Sequence, residues 1–300
     1  MKWNIYSKLW IIFFVLMGAA CTNQVEDAIP VSGQPIEFSV LSDWKEIPNT
    51  RSNDGKMNFG AKDTIQIFGF HTSLKNEVQK FMYRVGDRNR GQKVVFDGKD
   101  WNYSPKRFWP KKGTLDFYAG YPEYSVLNDE ENHRMTYEQT VNPLQLDLLW
   151  GVATNRDCAT ADTVKIWMVH ALAKVNIKFD SSLGEIKQAK VSAYKAGYFS
   201  GTTDGIPIWI VDDKTDIQTA FVPSSTNQKR IGDATVFILP DRITGLKLIK
   251  LDGTEIDVSD KIQNIEFKAG KVYNLTISDG AQKKNTKTRS IAMSVRCVSK

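Results

Sequence analysis

Apolar and polar residues alternate through Thr163–Phe179 with hardly a break. Val164, Ile166, Met168 and His170 fall on one side of an extended chain. Beyond Leu172 the pattern resumes with Ala173, Val175, Ile177 and Phe179 against Lys174, Asn176 and Lys178. A period of two is the spacing of a strand with one buried face, because successive side chains point to opposite sides of the pleat. The parity changes at Ala171-Leu172, which predicts a bulge or bend there. A chain patterned in this way folds as half-buried strands that must cover one another.

The same period recurs along most of the sequence. Ile36, Phe38 and Val40 alternate with Glu37 and Ser39, and in Thr64–Phe70 the pair Ile65 and Ile67 opposes Phe68 and Phe70. Val94-Val95-Phe96, Asp97-Gly98, then Trp101 and Tyr103 read as a hairpin, since Asp-Gly readily supplies the positive φ of a tight primed turn. Leu115–Tyr121 is an aromatic strand. Further strands are expected at Ile186–Tyr194, Ala220–Val222, Thr235–Leu239, Leu246–Leu251, Glu255–Val258, Ile265-Phe267 and Val272–Ile277. Ser73–Phe81 is the one short helical candidate. Many short strands between turn signals predict an all-β protein of sandwiches or barrels. The break Asp180–Gly184 predicts two domains, residues 36–180 and 181–278, followed by a flexible linker and a terminal strand over 279–300.

Residues 1–20 carry a different signal. Lys2 and Lys8 precede the apolar run Leu9–Met17, and Gly18-Ala19-Ala20 are small. This is the order of an export signal, and the run falls short of the about 20 residues that span a bilayer. Cys21 follows at once, so the segment resembles a bacterial lipobox, in which a diacylglyceryl group is attached to the thiol before cleavage. Gly18 stands where leucine is usual. Residues 21–35 then read as a polar tether, and Glu26 and Asp27 resemble the acidic patch of surface-exposed lipoproteins. The expected destination is the outer membrane, through lipid on Cys21.

Other functional classes find little support. The formal net charge is +6, two units of it from Lys2 and Lys8, and the remaining cations are scattered among acids. Lys283–Arg289 is the only basic run, and no nucleic-acid module accompanies it. His71, His133 and His170 are too dispersed for metal-ligand spacing, and no cofactor is expected. His170 reads as a packed strand residue. Cys158 lacks the neighbours that mark a nucleophile, and no hydrolase elbow or phosphate loop occurs, so an enzyme is not expected. With Cys21 lipidated, Cys158 and Cys297 leave one conceivable disulfide, which spacing alone does not decide.

Several stretches in order resemble the fimbrillin family, the fimbrial subunits of Bacteroidetes. They are the lipobox, the Ile36–Val40 strand ending near Thr50-Arg51-Ser52, and Asp63–Gly69. Next come Tyr103-Ser104-Pro105 through Phe108-Trp109-Pro110 into Leu115–Ala119, then Asp147-Leu148-Leu149. His170–Val175 and Gly270–Leu275 complete the set. The resemblance implies two transthyretin-like β-sandwich domains and assembly by strand exchange with other fimbrial subunits. In that scheme an Arg-specific protease removes an N-terminal strand, and another subunit fills the groove.

A cut after Arg51 would release Cys21–Arg51 together with the strand bearing Ile36, Phe38 and Val40. Each large apolar side chain withdrawn from its groove forfeits roughly 1.5–3 kcal/mol. A replacement strand is available at the C-terminus, where Ile291, Met293, Val295 and Cys297 alternate with Ala292, Ser294 and Arg296. The preceding Asp279–Arg289 could extend at most about 36–40 Å. The same residues equally suit a last strand of their own domain. A rival function, a carbohydrate-binding surface lipoprotein that never polymerises, rests on the dense aromatics Trp101, Tyr103, Phe108, Trp109, Phe117, Tyr118 and Tyr121. A packed core accounts for them as well.

Overall fold

The alternating strands Thr64–Thr72, Thr114–Tyr121, Leu149–Asp157 and Val164–His170 form the centre of one large sheet. The computed structural model describes residues 29–42, 59–130, 134–138, 147–203, 205–211, 217–222, 233–279 and 293–299. From one end, the sheet order is Phe38–Ser42, Val164–His170, Leu149–Asp157, Thr114–Tyr121, Thr64–Thr72, Gln92–Phe96 and Trp101–Asn102. All neighbours are antiparallel except the first pair, which is parallel. The sheet curls, bringing Phe38 at one end within reach of Tyr103 just beyond the other, with ring centroids 5.7 Å apart.

Both faces of this sheet are covered, as the apolar residues on both sides of Thr64–Thr72 require. Ile65, Ile67, Leu115, Phe117, Val164 and Ile166 line the inside of the curl. Phe68 and Trp150 face the other way, beneath a smaller sheet of Ile210–Val211, Ala196–Phe199, Arg134–Glu138 and Val126–Asp129. Phe199, Met135 and Tyr137 close that second core.

A third core lies between two four-stranded sheets. One contains Asp233–Ile238, Ala173–Phe179, Val272–Asp279 and Met293–Ser299; the other contains Ile217–Val222, Ile186–Tyr194, Gly245–Lys250 and Glu255–Asp257. Val175, Ile177, Val191, Leu246, Leu248 and Leu275 fill the space between them. The parity change at Ala171-Leu172 is where the chain leaves the large sheet for this sandwich. Trp209 Nε1 donates to the Ala171 carbonyl at 2.7 Å and Gly270 N to that of Leu172 at 2.9 Å. The turn at Ser181–Leu183, capped by the Asp180 carboxylate, joins two sheets of the third core.

Two local expectations change. Within Ser73–Phe81 the chain turns rather than coils, and Val78–Met82 pairs antiparallel with Thr64–Thr72. The Asp97-Gly98 hairpin is present, but only Gly98 takes positive φ, at 106°. Asp97 instead accepts backbone bonds from Lys99 and Asp100, each 2.8 Å, so its carboxylate shapes a wider loop.

Candidate functional site

The N-terminal segment crosses from one partner to another. Val31–Pro35, exposed throughout, pairs antiparallel with Phe108–Pro110. At Ile36 the chain turns inward, and Ile36 N donates to the Arg107 carbonyl at 2.9 Å. Val164 N donates to Glu37 O at 2.8 Å, after which Phe38–Ser42 runs parallel to Val164–Met168. Ile36 thus sits in the link before the strand rather than within it, yet it is fully buried. Phe38 and Val40 are buried beside it, Phe38 opposite Val164 and Val40 opposite Ile166.

Side chains hold this segment from inside. Tyr103 Oη donates to the Ile36 carbonyl at 2.8 Å, and burial pushes its phenol up to about 12. Phe38 packs edge-on against both Tyr103 and Phe117. Withdrawing Ile36, Phe38 and Val40 would return roughly 5–9 kcal/mol of apolar burial to water. Phe38–Ser42 is the terminal strand of its sheet, and residues 43–58 alone connect it to Phe59 and the strand Thr64–Thr72. Arg51 falls in that connection and, like Cys21 and Ile291, lies outside the described residues.

The backbone of Met293, Val295 and Cys297 lies in the third core's first sheet. Met293–Ser299 runs antiparallel to Val272–Asp279, from Asp279 opposite Met293 to Tyr273 opposite Ser299, as the outermost strand. Cys158 is a buried free thiol. Burial, then the Asp157 charge, pushes it up to about 11, an inert setting for a nucleophile.

Of the aromatics singled out above, Trp101, Tyr103, Trp109 and Phe117 are core residues. Phe108 and Tyr118 instead border a cleft of about 1320 Å³ between the outer face of the large sheet and the small sheet. Phe70, Trp150 and Phe199 complete its apolar wall. Sequence reading missed this cleft because its residues come from opposite sheets. The available hint was the second apolar face of Thr64–Thr72, which had to lie under something.

His71 Nε2 donates to the Lys112 carbonyl at 2.8 Å. His170 Nδ1 pairs with Asp147, whose carboxyl is raised above its usual range by burial, opposed by the His170 hydrogen bond. Among the described residues no group of three His, Cys, Asp or Glu side chains could hold a metal ion.

Residues 50–293 match the fimbrillin-like family. The chain belongs to that family. A candidate cell adhesion protein from Bacteroides ovatus ATCC 8483 superposes with a TM-score of 0.56 at 14% identity, covering 88% of this chain and 96% of that one. Another from Bacteroides uniformis ATCC 8492 gives 0.54 at 18% identity, covering 88% and 97%. At such identities the likeness establishes a shared fold. A comparison with curated proteins finds no match. This fimbrillin-like chain is therefore a fimbrial-type protein of the cell surface, in a structural family.

Proposed function

We propose that this protein is a fimbrial subunit exported as an outer-membrane lipoprotein on Cys21 and assembled by strand exchange. The observation that carries the reading is the seat of Ile36, Phe38 and Val40. Phe38 and Val40 on a terminal strand, and Ile36 in the link before it, are all buried, and the covalent connection from that strand to the rest of the protein includes Arg51. Cleavage there leaves residues 21–51 held by contacts alone, and their departure exposes both an apolar groove and the unpaired edge of Val164–His170. An incoming strand restores both kinds of contact, which is the logic of β-strand addition. The donor is the alternating segment Ile291, Met293, Val295 and Cys297 of a second subunit. It must first leave its antiparallel pairing with Val272–Asp279, so cleavage and release act together as the trigger.

Arg-specific proteolysis tests this scheme. Wild-type protein should yield Ser52 as its new N-terminus and a ladder of oligomers on a denaturing gel. Arg51→Ala should stay monomeric, and deletion of residues 290–300 should permit cleavage without a ladder. Monomers after complete cleavage at Arg51 would overturn the exchange step. A polar Cys21→Ser variant, free of acyl mass and lost from the membrane fraction, would support the tether.

A second reading, a carbohydrate-binding surface lipoprotein, draws on the cleft bordered by Phe108 and Tyr118. Glycan binding without ladders would favour it as the sole function.

A further inference from the structure

We infer that the cleft between the large sheet and the small one binds an acidic carbohydrate, an oligosaccharide bearing uronate or sulfate groups. Its wall is a run of rings in contact. Phe70 meets Tyr118 edge-on at 5.9 Å, Tyr118 stacks over Trp150 at 6.2 Å, and Trp150 meets Phe199 edge-on at 5.0 Å. Phe108 stands at the rim, 38% exposed. Phe70, Tyr118 and Phe108 keep part of their surface open and suit the apolar faces of sugar rings, while Trp150 and Phe199 are buried behind them and fix their positions. A volume of about 1320 Å³ exceeds the range of roughly 300–1000 Å³ that suits one drug-sized molecule, and fits a short chain of sugars.

Charge selects the kind of sugar. Lys80 and Glu130 neutralise each other across the cleft, and Asp116 accepts from Asn155 N at 2.6 Å. With Arg134 paired to Asp129, Lys106 and Arg107 outnumber the Asp116 carboxylate and give the lining a positive excess. Two lining donors, Trp150 Nε1 and Arg107 Nε, are buried without a protein acceptor. Both are the type of group that an anionic or hydroxyl-rich ligand satisfies once the wall adjusts to it.

The cleft has strand edges at its rim, in Val78–Met82 and Val126–Asp129, but none on its floor. The floor strands Thr64–Thr72, Thr114–Tyr121 and Leu149–Asp157 are interior to their sheet, with neighbours on both sides. An extended peptide on that floor would find no free edge to pair with, whereas a saccharide relies on side chains. The inference deepens the carbohydrate-binding reading above, and because Ile29 and Val31 of the segment released by cleavage also line the cleft, it is tested on the uncleaved chain.

Calorimetric titration of the purified full chain with an oligogalacturonate, a neutral maltooligosaccharide and a polyglutamate peptide tests the inference. The oligogalacturonate should bind, and added salt should weaken it. Arg107→Ala and Phe108→Ala should each lower affinity by at least about tenfold, with Lys99→Ala, outside the cleft, unchanged. Phe108 is exposed enough for its variant to keep the fold, which circular dichroism would check; Lys106→Ala gives a second charge test should Arg107→Ala misfold. Equal binding of the neutral sugar, failure of the acidic one, or full affinity in all cleft variants would overturn the inference. Tighter binding of polyglutamate would do the same and assign the cleft to an acidic protein segment.

Discussion

Phe38 meets Phe117 edge to face, with ring centroids 5.4 Å apart and planes at 86°. One ring belongs to the terminal strand of the large sheet and the other to its central strand, so the segment proposed to leave is anchored in the middle of the core. Phe38→Ala should lower stability by about 3–5 kcal/mol, the usual cost of removing a buried ring. Leu41 on the same strand is 52% exposed, and Leu41→Ala should cost less than about 1 kcal/mol. Urea unfolding of the uncleaved chain measures both. Equal losses would mean that Phe38 is not seated in the core.

Gly151 tests the strand beside that seat. A Cβ there would stand 2.7 Å from Ile166 Cγ2 and 2.8 Å from the Trp167 carbonyl oxygen. The neighbouring strand Val164–His170, on which Phe38–Ser42 lies, would have to shift. Gly151→Ala should therefore cost about 1–3 kcal/mol, the range for overpacking, despite adding only a methyl group. Thermal melting gives the readout, and an unchanged midpoint would contradict the close approach.

The Asp147 carboxyl pairs with His170 through one oxygen, while its buried Oδ1 has no partner. Lys174 faces it from the next strand, and the charge of Asp147 adds to burial in raising the phenols of Tyr137 and Tyr121. Because burial holds Asp147 above the usual carboxylate range, the folded protein keeps its proton where the unfolded chain has lost it. The contribution of this group is fully present below the unfolded value, near 4, and declines as pH rises through the higher folded value. The stability of wild type minus that of Asp147→Asn should thus fall with rising pH across this window. Denaturant titrations at a series of pH values would show it; a rising difference would mean that His170 outweighs burial.

How much of this was legible depended on whether the information was local. Val164, Ile166 and Met168 on one face, then Ala173, Val175 and Ile177 on another, are visible as a period of two and a parity change. That the two runs belong to different sheets is not, because alternation names a buried face without naming what buries it. The same limit hid the cleft. Phe70, Trp150 and Phe199 are unremarkable in their own strands and converge only once the small sheet of Val126–Asp129, Arg134–Glu138, Ala196–Phe199 and Ile210–Val211 is laid across the large one. The spacing of Ile36 from Phe38 reads as one strand. In the structure the hydrogen bonds of Ile36 to Arg107 and Tyr103 place it in the link instead.

Cys158 provides a probe of global opening. Its thiol, pushed up to about 11 by burial, should alkylate on the order of a hundredfold more slowly at pH 8 than a thiol of ordinary pKa near 9. Burial slows it further, since reagent must reach it. Peptide mapping of Cys158 after a short iodoacetamide pulse should find it unlabelled in buffer and fully labelled in denaturing urea. Rapid labelling of the native protein would contradict its buried position.

Tyr103 ties the last argument to the first residue of the buried seat. Its hydroxyl donates to the Ile36 carbonyl at 2.8 Å and accepts from Arg107 N at 3.3 Å, while its ring packs against Phe38. Tyr103→Phe keeps the ring and removes the hydroxyl, leaving the Ile36 carbonyl without this donor. The loss should be about 1 kcal/mol, which corresponds to roughly a fivefold faster escape of residues 21–51 if the bond breaks before the transition state for release. Cleaving both proteins with the Arg-specific protease and following retention of the N-terminal fragment by gel filtration measures that rate. In the uncleaved chain the same substitution should lower the urea midpoint by the matching amount. Faster release without that loss of stability would mean that Tyr103 acts on the route out rather than on the seated strand.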